Sequence, residues 1–300
     1  MEYIMRKTLF LCVIPFLCIS LLLYGCGTLS FEKRFQEPKS SLKKRVMITP
    51  LWDKAGLGNE TTERLTELLA EWIYATGHAI TYKVPEDLVA EGNPKVPTFG
   101  IPGNKKLLAY ASEHRMNMVL TGSVGPVEKE EKRKGIWPFR KTVASYQISV
   151  TINLIEADSG TVLLTNVETD SLEMDVEEEE FVDKNWFLQE FKQKLLPKIL
   201  KRCVKPIKGI LSREPWKGVI LSADGYIQIS AGKDVGVTPG HQFIVYAPGK
   251  VVEAKGGRMF HISWEKTGKI QVTQVGETTS FAEPISGRRF HAGQKIVSID

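Results

Sequence analysis

Cysteine is scarce in this chain, and the few cysteines present leave no pair for a disulfide bridge. The 300 residues contain four of them, Cys12, Cys18, Cys26 and Cys203. The first three lie within or directly after an apolar N-terminal run, so one cysteine remains for the body of the chain. Cys203 lies in a helical pattern of apolar and basic residues without a His or Asp partner, which favours a helix-face residue over a catalytic thiol.

Catalytic motifs are also missing. The sequence holds no Gly-x-x-x-x-Gly-Lys-Ser/Thr phosphate loop, no Gly-x-Ser-x-Gly elbow and no His-Glu-x-x-His zinc helix. His241, His261 and His291 share the last part of the chain, but their spacings fit no known zinc site. The acidic run at residues 175–180 lacks the spacing of a calcium loop and suits the first turn of a helix. We therefore expect no enzymatic activity, no cofactor and no metal site.

Neither sign of charge dominates the sequence. Forty Lys and Arg residues against 35 Asp and Glu residues give a formal net charge of +5. Proteins that bind nucleic acids usually carry a clustered basic face, so we expect no nucleic-acid partner. An apolar fraction of 42% and a charged fraction of 25% are typical of a folded globular chain, and the length suggests two domains.

The N terminus has the pattern of a secretion signal. Arg6 and Lys7 precede an almost unbroken apolar run at residues 9–23, which is shorter than the roughly 20 residues of a membrane-spanning helix. The run ends in Leu-Tyr-Gly and Cys26, where a small residue precedes a nucleophilic thiol. A plain transmembrane anchor with a chance cysteine is the alternative interpretation.

This N terminus resembles a bacterial lipoprotein signal. The resemblance implies that residues 1–25 are removed, that Cys26 carries the acyl (palmitate-type) chains and that residues 26–44 form a tether. Two or three acyl chains hold a protein firmly on a membrane. Because Gly27 replaces the aspartate that usually retains such proteins at the inner membrane, we expect an outer-membrane anchor with the protein facing the periplasm.

Helical and strand patterns alternate between residues 45 and 208 and predict an α/β (α+β) domain with a mixed sheet. Residues 145–154 alternate strictly between polar and apolar side chains, which indicates a strand with one wet and one buried face. A helix-capping residue is expected at Asn59 or Thr61. The predicted elements are strands at 45–51, 78–84, 118–124, 145–154 and 161–169, helices at 59–77, 105–114 and 182–204, and a Pro- and Gly-rich loop at 86–102.

This order of elements is similar to the TolB amino-terminal-like fold. The likeness rests on RVMITPL, MVLTGSV and YQISVTINLIEADSGTVLL, all within residues 45–205. The fold occurs in periplasmic lipoproteins related to CsgG and to the penicillin-binding-protein activator LpoB, and in the flagellar protein FlgT. The resemblance implies a fold and no particular function.

The chain changes character after Pro206, Gly209 and Pro215, which we interpret as a domain boundary. Short strand patterns then alternate with glycine turns, as in a small barrel. The region from 215 to 300 resembles the C-terminal domain of FlgT-type envelope proteins, a barrel of the Src homology 3 type, which implies a structural or binding module. The predicted strands are 217–222, 226–230, 241–246, 269–275, 279–284 and 294–299.

The segment EKEEKRKGIWPFRK at residues 128–141 is interpreted as a loop between two strands. Ile136, Trp137, Phe139 and Arg140 are candidate partner-binding residues, because aromatic and arginine side chains supply much of the energy of protein interfaces. The alternative is a solvated loop whose aromatic side chains fold back onto the domain.

Together these patterns predict a structural or adaptor lipoprotein that binds other proteins of an envelope assembly, such as a flagellar, secretion or cell-wall complex. A CsgG-like homo-oligomeric secretion channel is the first alternative, although the segments beside residues 128–141 do not show the alternation expected of membrane strands. An envelope hydrolase is the second alternative, and no motif supports it.

Overall fold

The computed structural model describes residues 42–85, 88, 105–179, 184–247, 251–254, 258–261 and 264–299. Its contacts divide the chain into two units, Met1–Pro38 and Lys39–Asp300, and all described residues belong to the second unit. The predicted signal peptide, Cys26 and most of the tether lie outside the described residues, as does the predicted loop at 86–102 apart from Leu88. The domain boundaries assigned from the sequence stay a prediction.

A mixed sheet is built around three parallel strands. β1 (Lys44–Ile48) pairs in parallel with β3 (Ala79–Lys83) on one side and with β4 (Met118–Val124) on the other. The short β2 (Trp52–Asp53) pairs with the end of β4. Every residue of β1 and β4 is buried, as expected for central strands that are covered on both faces.

A long antiparallel extension continues this sheet. β6 (Lys141–Glu156) pairs with β4 along its second half and with β5 (Glu128–Lys134) along its first half. β7 (Val162–Asp175) pairs with the other edge of β6 along nearly its whole length. The strand predicted at residues 145–154 is therefore confirmed, and it is longer than its alternating core.

The predicted loop at residues 128–141 is wrong over its first half, where Glu128–Lys134 forms β5. The side chains of β5 are almost all exposed, so the strand depends on backbone hydrogen bonds to β6 and not on burial. Charged side chains are common on edge strands because they discourage pairing with other chains. Only residues 135–140 form the turn of a β5–β6 hairpin.

Helices cover one face of the sheet. α1 (Asn59–Ala75) buries Leu65, Leu69 and Ile73, which share one side of the helix. The expected side-chain cap is wrong: Gly58 is the N-cap, and its N–H donates to Asp53 Oδ2 at 2.9 Å. Gly77, at a φ of 78°, ends the helix as predicted.

The helix expected at residues 182–204 is also different in the structure. The described segments are α3 (Val176–Glu179), α4 (Lys184–Glu190) and, after one π turn, α5 (Leu196–Arg213). α5 continues through Pro206, so the sequence interpretation of Pro206 as a break is wrong. The apolar stripe of α5 extends to Ile207 and Leu211, and its burial against the sheet outweighs the hydrogen bond lost at the proline. On the other face of the sheet, α2 (Lys105–Glu113) agrees with its prediction.

The rest of the described chain is mainly β-structure. The barrel strands are β8 (Lys217–Ser222), β9 (Ile227–Ile229), β10 (Gln242–Ala247), β13 (Glu265–Val275), β14 (Ser280–Gly287) and β15 (Lys295–Ile299). These six strands close into an antiparallel barrel in the order β10-β13-β14-β9-β8-β15, which confirms the predicted small barrel in its general kind. A separate pair, β11 (Val251–Ala254) with β12 (Arg258–His261), follows β10.

The barrel has its own core, and the chain just before β1 takes part in it. Trp216 and Phe243 meet edge to face with ring centroids 5.8 Å apart. Leu42 is buried in the same cluster, and the Lys43 N–H donates to the Val235 carbonyl at 2.9 Å. The barrel is therefore completed by a residue that lies far from it in sequence.

Candidate functional site

The tip of the β5–β6 hairpin carries three of the four candidate contact residues on its apolar surface. The side chains of Ile136, Trp137 and Phe139 are 84%, 79% and 84% exposed. The Phe139 N–H donates to the Ile136 carbonyl at 2.7 Å, which closes the turn and presents these side chains together. The alternative in which the aromatic side chains fold back onto the domain is therefore wrong. We call residues 135–140 the hairpin tip.

Basic side chains surround the hairpin tip. Lys134 and Lys141 form ion pairs with acidic residues of β7, namely Glu173 and Asp175, and the Lys141 pair has an N–O distance of 3.0 Å. Arg140 is exposed at the tip itself and has no ion-pair partner in the part of the chain that the structure describes. The tip is thus an apolar end with a basic margin.

Such a tip is suited to contact with a second surface. Large apolar side chains with this exposure release ordered water when a partner covers them, which makes contact with a second surface favourable. Arg140, which has no ion-pair partner among the described residues, can add charge-assisted hydrogen bonds of defined geometry to a partner's carboxylate. These residues can be recognised from the sequence, because aromatic side chains are conspicuous within a charged segment.

A second site, which is polar and which the sequence analysis missed, lies where the sheet meets the barrel. It is a cleft of about 190 Å³ lined by residues from the β6–β7 turn, β8 and β15. Lys217 donates to Glu156, while Lys295 Nζ lies 2.8 Å from Asp158 Oδ2. No local pattern could reveal these pairs, because their members are far apart along the chain.

The charges of this cleft are matched and partly shielded from solvent. Burial opposes ionisation of the Glu156 carboxyl, but the hydrogen bonds from Lys217 and Ser159 outweigh it, so the pKa of Glu156 is lowered. Glu156 therefore stays ionised and bound to Lys217 at neutral pH. An ionised, paired carboxylate of this kind is suited to joining two structural parts and not to proton transfer.

Cys203 and His241 lie outside these two sites, and each is held by its surroundings. Burial raises the pKa of the Cys203 thiol to about 11, which disfavours the reactive thiolate. His241 Nδ1 accepts a hydrogen bond from the Thr238 N–H at 2.9 Å. Among the described residues, no three His, Cys, Asp or Glu side chains are close enough together to hold a metal ion.

The lipidation site lies outside the described residues, so acylation of Cys26 stays a prediction. In the described part of the chain, every helix is too short or too polar to cross a membrane.

No protein-family model and no curated protein matches this sequence. Some solved structures are similar to part of the chain at low identity. A PelC dodecamer from Paraburkholderia phytofirmans is 13% identical, covering 56% of this chain and 88% of its own, with a TM-score of 0.33. A neuraminyllactose-binding hemagglutinin homolog from Helicobacter pylori is 11% identical, covering 59% of this chain and 89% of its own, with a TM-score of 0.36.

A lipoprotein from Neisseria meningitidis is also similar, at 13% identity over 55% of this chain and 99% of its own, with a TM-score of 0.30. Two further similar structures, from Acinetobacter baumannii and Caulobacter crescentus, are described as lipoproteins as well. With TM-scores below 0.5, none of these likenesses establishes a fold family or a function for this chain.

Proposed function

We propose that this protein is a lipid-anchored adaptor of the bacterial envelope and not an enzyme. In this proposal Cys26 is acylated, the outer membrane holds the anchor, and the folded part faces the periplasm. The hairpin tip then binds another protein of an envelope assembly. The observation that supports the proposal is the exposure of Ile136, Trp137 and Phe139 at the end of the hairpin.

The finer fold assignment belongs to the same proposal. The parallel β1–β4 core with its antiparallel extension supports a TolB amino-terminal-like domain, and the closed six-stranded barrel of the described chain supports the Src homology 3 type. Neither assignment carries a catalytic role, which agrees with an adaptor.

The position of the tip suits a contact surface. β6 is 16 residues long, and at about 3.3 Å per residue its two ends are separated by roughly 50 Å. The hairpin tip lies at one end, whereas Glu156 at the other end bonds to the barrel. An apolar contact can therefore form at the tip without disturbing either hydrophobic core.

The test is site-specific photo-crosslinking in cells of the source bacterium. A photoreactive amino acid replaces Trp137, and a matched variant carries it at Tyr226, which is 73% exposed on the barrel. We expect a discrete crosslink to one foreign protein from position 137 and none of that product from position 226. The mass of the mature N-terminal peptide reports acylation of Cys26 in the same cells.

The adaptor role also predicts the effect of removing the apolar side chains. In proteins without the photoreactive residue, Trp137→Ala and Phe139→Ala should each lower co-purification of the partner that crosslinking identified about tenfold or more, as hot-spot residues do. The melting temperature should be unchanged, because both side chains are exposed. Unchanged recovery, or crosslinks only between copies of this chain, would contradict the adaptor proposal; copy-to-copy products would favour the oligomeric channel.

A further inference from the structure

Part of one face of the sheet is lined by polar, uncharged side chains, and the adaptor role does not use it. Along β6 the apolar residues from Tyr146 to Leu154 pack into the core with α1 and α5. The alternate residues point to the opposite face. They are Gln147, Ser149, Thr151 and Asn153.

Neighbouring strands extend this uncharged surface. Thr121 of β4 lies beside Asn153, and Ser123 lies beside Thr151. On the other side of β6, the β7 residues in register with Gln147, Ser149, Thr151 and Asn153 are Ser171, Thr169, Val167 and Thr165. We call the side chains of these ten positions the polar face. None of these ten side chains is ionisable. Charged residues border the face: Glu128 of β5 is in register with Gln147, and Glu173 of β7 lies one row nearer the hairpin tip.

Only part of this side of the sheet is covered by α2. The apolar residues Met47 and Val119 pack against Leu107 and Ala111 of that helix. The polar face begins one row further along the strands, toward the carboxyl ends of β1 and β4. Ligands of open sheets with parallel strands commonly bind at that end of the strands.

The deepest row of the polar face contains hydrogen-bonding atoms without partners. Thr49 directly follows β1 and its N–H donates to the Leu120 carbonyl of β4 at 3.0 Å, while Thr121 and Asn153 are register partners on β4 and β6. The three residues are only 1%, 5% and 2% exposed. Thr49 Oγ1, Thr121 Oγ1 and Asn153 Nδ2 have no hydrogen-bond partner in the part of the chain that the structure describes. Buried polar atoms are rarely left unpaired, so this row is a place where a ligand or an ordered water supplies the missing partners.

An aromatic ring flanks the same surface. Trp52 of β2 is in register with Ser123, which places it at the edge of the polar face. Its ring is half-buried, and Lys54 Nζ lies 4.5 Å from the ring centroid. Across the face, Val167 is 57% exposed and adds an apolar contact among the hydroxyl groups.

We propose that the polar face binds an uncharged glycan chain. Hydroxyl groups of Thr and Ser both donate and accept hydrogen bonds, and the amide of Asn153 donates, so they match sugar hydroxyl and acetamido groups. The indole of Trp52 and the Val167 side chain suit the apolar C–H surface of sugar rings. The ten side chains carry no charge, and the carboxylate of the neighbouring Glu128 would repel an anionic chain, which favours a neutral glycan.

The surface has room for several sugar units. Residues Gln147 to Asn153 of β6 extend over roughly 20 Å at about 3.3 Å per residue, and three neighbouring strands give a width of about 10 Å. This site is separate from the hairpin tip, and neither depends on the other. A protein partner at the tip and a glycan on the sheet could bind at the same time.

The test is calorimetric titration of the mature, full-length protein in a detergent without sugar headgroups. The probes are the tetramer of N-acetylglucosamine and maltotetraose, with tetragalacturonic acid as a charged control. We expect a neutral tetramer to bind with a Kd of about 1 mM or lower. The charged tetramer should bind at least about tenfold more weakly, because none of the ten side chains is a cation and the neighbouring Glu128 carboxylate repels it.

Variants separate a binding role from a structural one. Trp52→Ala and Thr169→Val should each weaken binding about tenfold. Thr169→Val should also leave the melting temperature unchanged, because Thr169 is exposed. The matched control is Thr142→Val, an exposed residue on the opposite face of β6. This control should leave binding unchanged.

A substitution in the buried row distinguishes glycan binding from a purely structural role, because the two roles predict different combinations of change in binding and in melting temperature. Thr121→Val keeps the side-chain shape and removes an unpaired hydroxyl, so we expect weaker glycan binding together with a higher melting temperature. Failure of both neutral tetramers to bind at about 10 mM would overturn the proposal. Equal binding of the charged tetramer, or a lower melting temperature for Thr121→Val, would do the same.

Discussion

At the scale of single residues, Cys203 shows how burial decides the chemistry of a side chain. It lies on the buried stripe of α5, inside the sheet core. The pKa of its thiol is raised to about 11 from an ordinary 9.0, mainly because burial penalises the thiolate. Its surroundings therefore make it a packing residue, as the sequence pattern predicted.

The raised pKa of Cys203 predicts a pH-dependent contribution to stability. Because the folded state holds the thiol proton more tightly, this contribution is complete below pH 9 and is lost as the pH rises toward 11. Between these values the free energy of unfolding should fall by about 2 kcal/mol more in the wild type than in Cys203→Ala. Denaturant titrations of both proteins at several pH values measure this difference. Parallel pH profiles would show that the thiol is already exposed.

At the scale of elements, α5 illustrates the balance between local and tertiary preferences. Pro206 and Gly209 both disfavour a helix interior. The helix nevertheless continues to Arg213, because its six buried residues, from Leu196 to Leu211, form one stripe against the sheet. Pro206 and Gly209 do lower the helix propensity of this segment, but the free energy gained by burying the whole stripe is larger.

This balance predicts opposite effects for two glycine substitutions. A Cβ at Gly209 would meet no atom within 4 Å, so Gly209→Ala should stabilise the protein by about 0.5–1 kcal/mol through its helix preference. The matched comparison is Gly232→Ala, whose Cβ would lie 2.3 Å from the Glu277 carbonyl oxygen. That clash with backbone should cost about 2 kcal/mol or more. Chemical denaturation measures both, and destabilisation by Gly209→Ala would contradict the helix in this region.

β5 is the element that is hardest to predict from the sequence. Its residues carry charge at every position, so neither a period of two nor a helical period is visible. It forms a strand because the first half of β6 extends beyond β4 and offers free backbone groups to pair with. That geometry depends on the length of β6, which no local window of β5 contains.

At the scale of the whole molecule, the sheet and the barrel are joined through polar contacts. Arg45 of β1 donates to Asp234 Oδ2 from Nε at 3.1 Å and from Nη2 at 2.7 Å, and to the Ser230 carbonyl from Nη1 at 3.0 Å. The side chains of Arg45 and Asp234 are only 8% and 16% exposed. Asn117 adds a hydrogen bond to the Lys217 carbonyl at 2.6 Å.

The Arg45–Asp234 contact predicts a large penalty when one partner is removed. Asp234→Ala leaves the buried guanidinium without its carboxylate, which should destabilise the protein by about 3–5 kcal/mol. Glu67→Ala removes the exposed Glu67–Lys83 pair and serves as the control, with little change expected. Thermal and chemical denaturation of both variants test this. Equal stability of the two variants would show that the contact between sheet and barrel does not depend on Arg45.

The sequence by itself determined the features that depend on local periodicity and on turn residues. The alternation of residues 145–154, the apolar side of α1 and the glycine-separated strands of the barrel are visible within short windows, because side-chain direction repeats every two or 3.6 residues. The aromatic hairpin tip was also visible, since Trp137 and Phe139 stand out within a charged segment.

Only the tertiary structure decided what distant segments do together. Leu42 completes a barrel that begins well over one hundred residues later, and Thr49, Thr121 and Asn153 form one buried row from three strands. The continuation of α5 through Pro206 and the pairing of β5 also depend on partners outside their own windows. These contacts are set by strand register and burial, whose free energy arises only when the whole chain is packed.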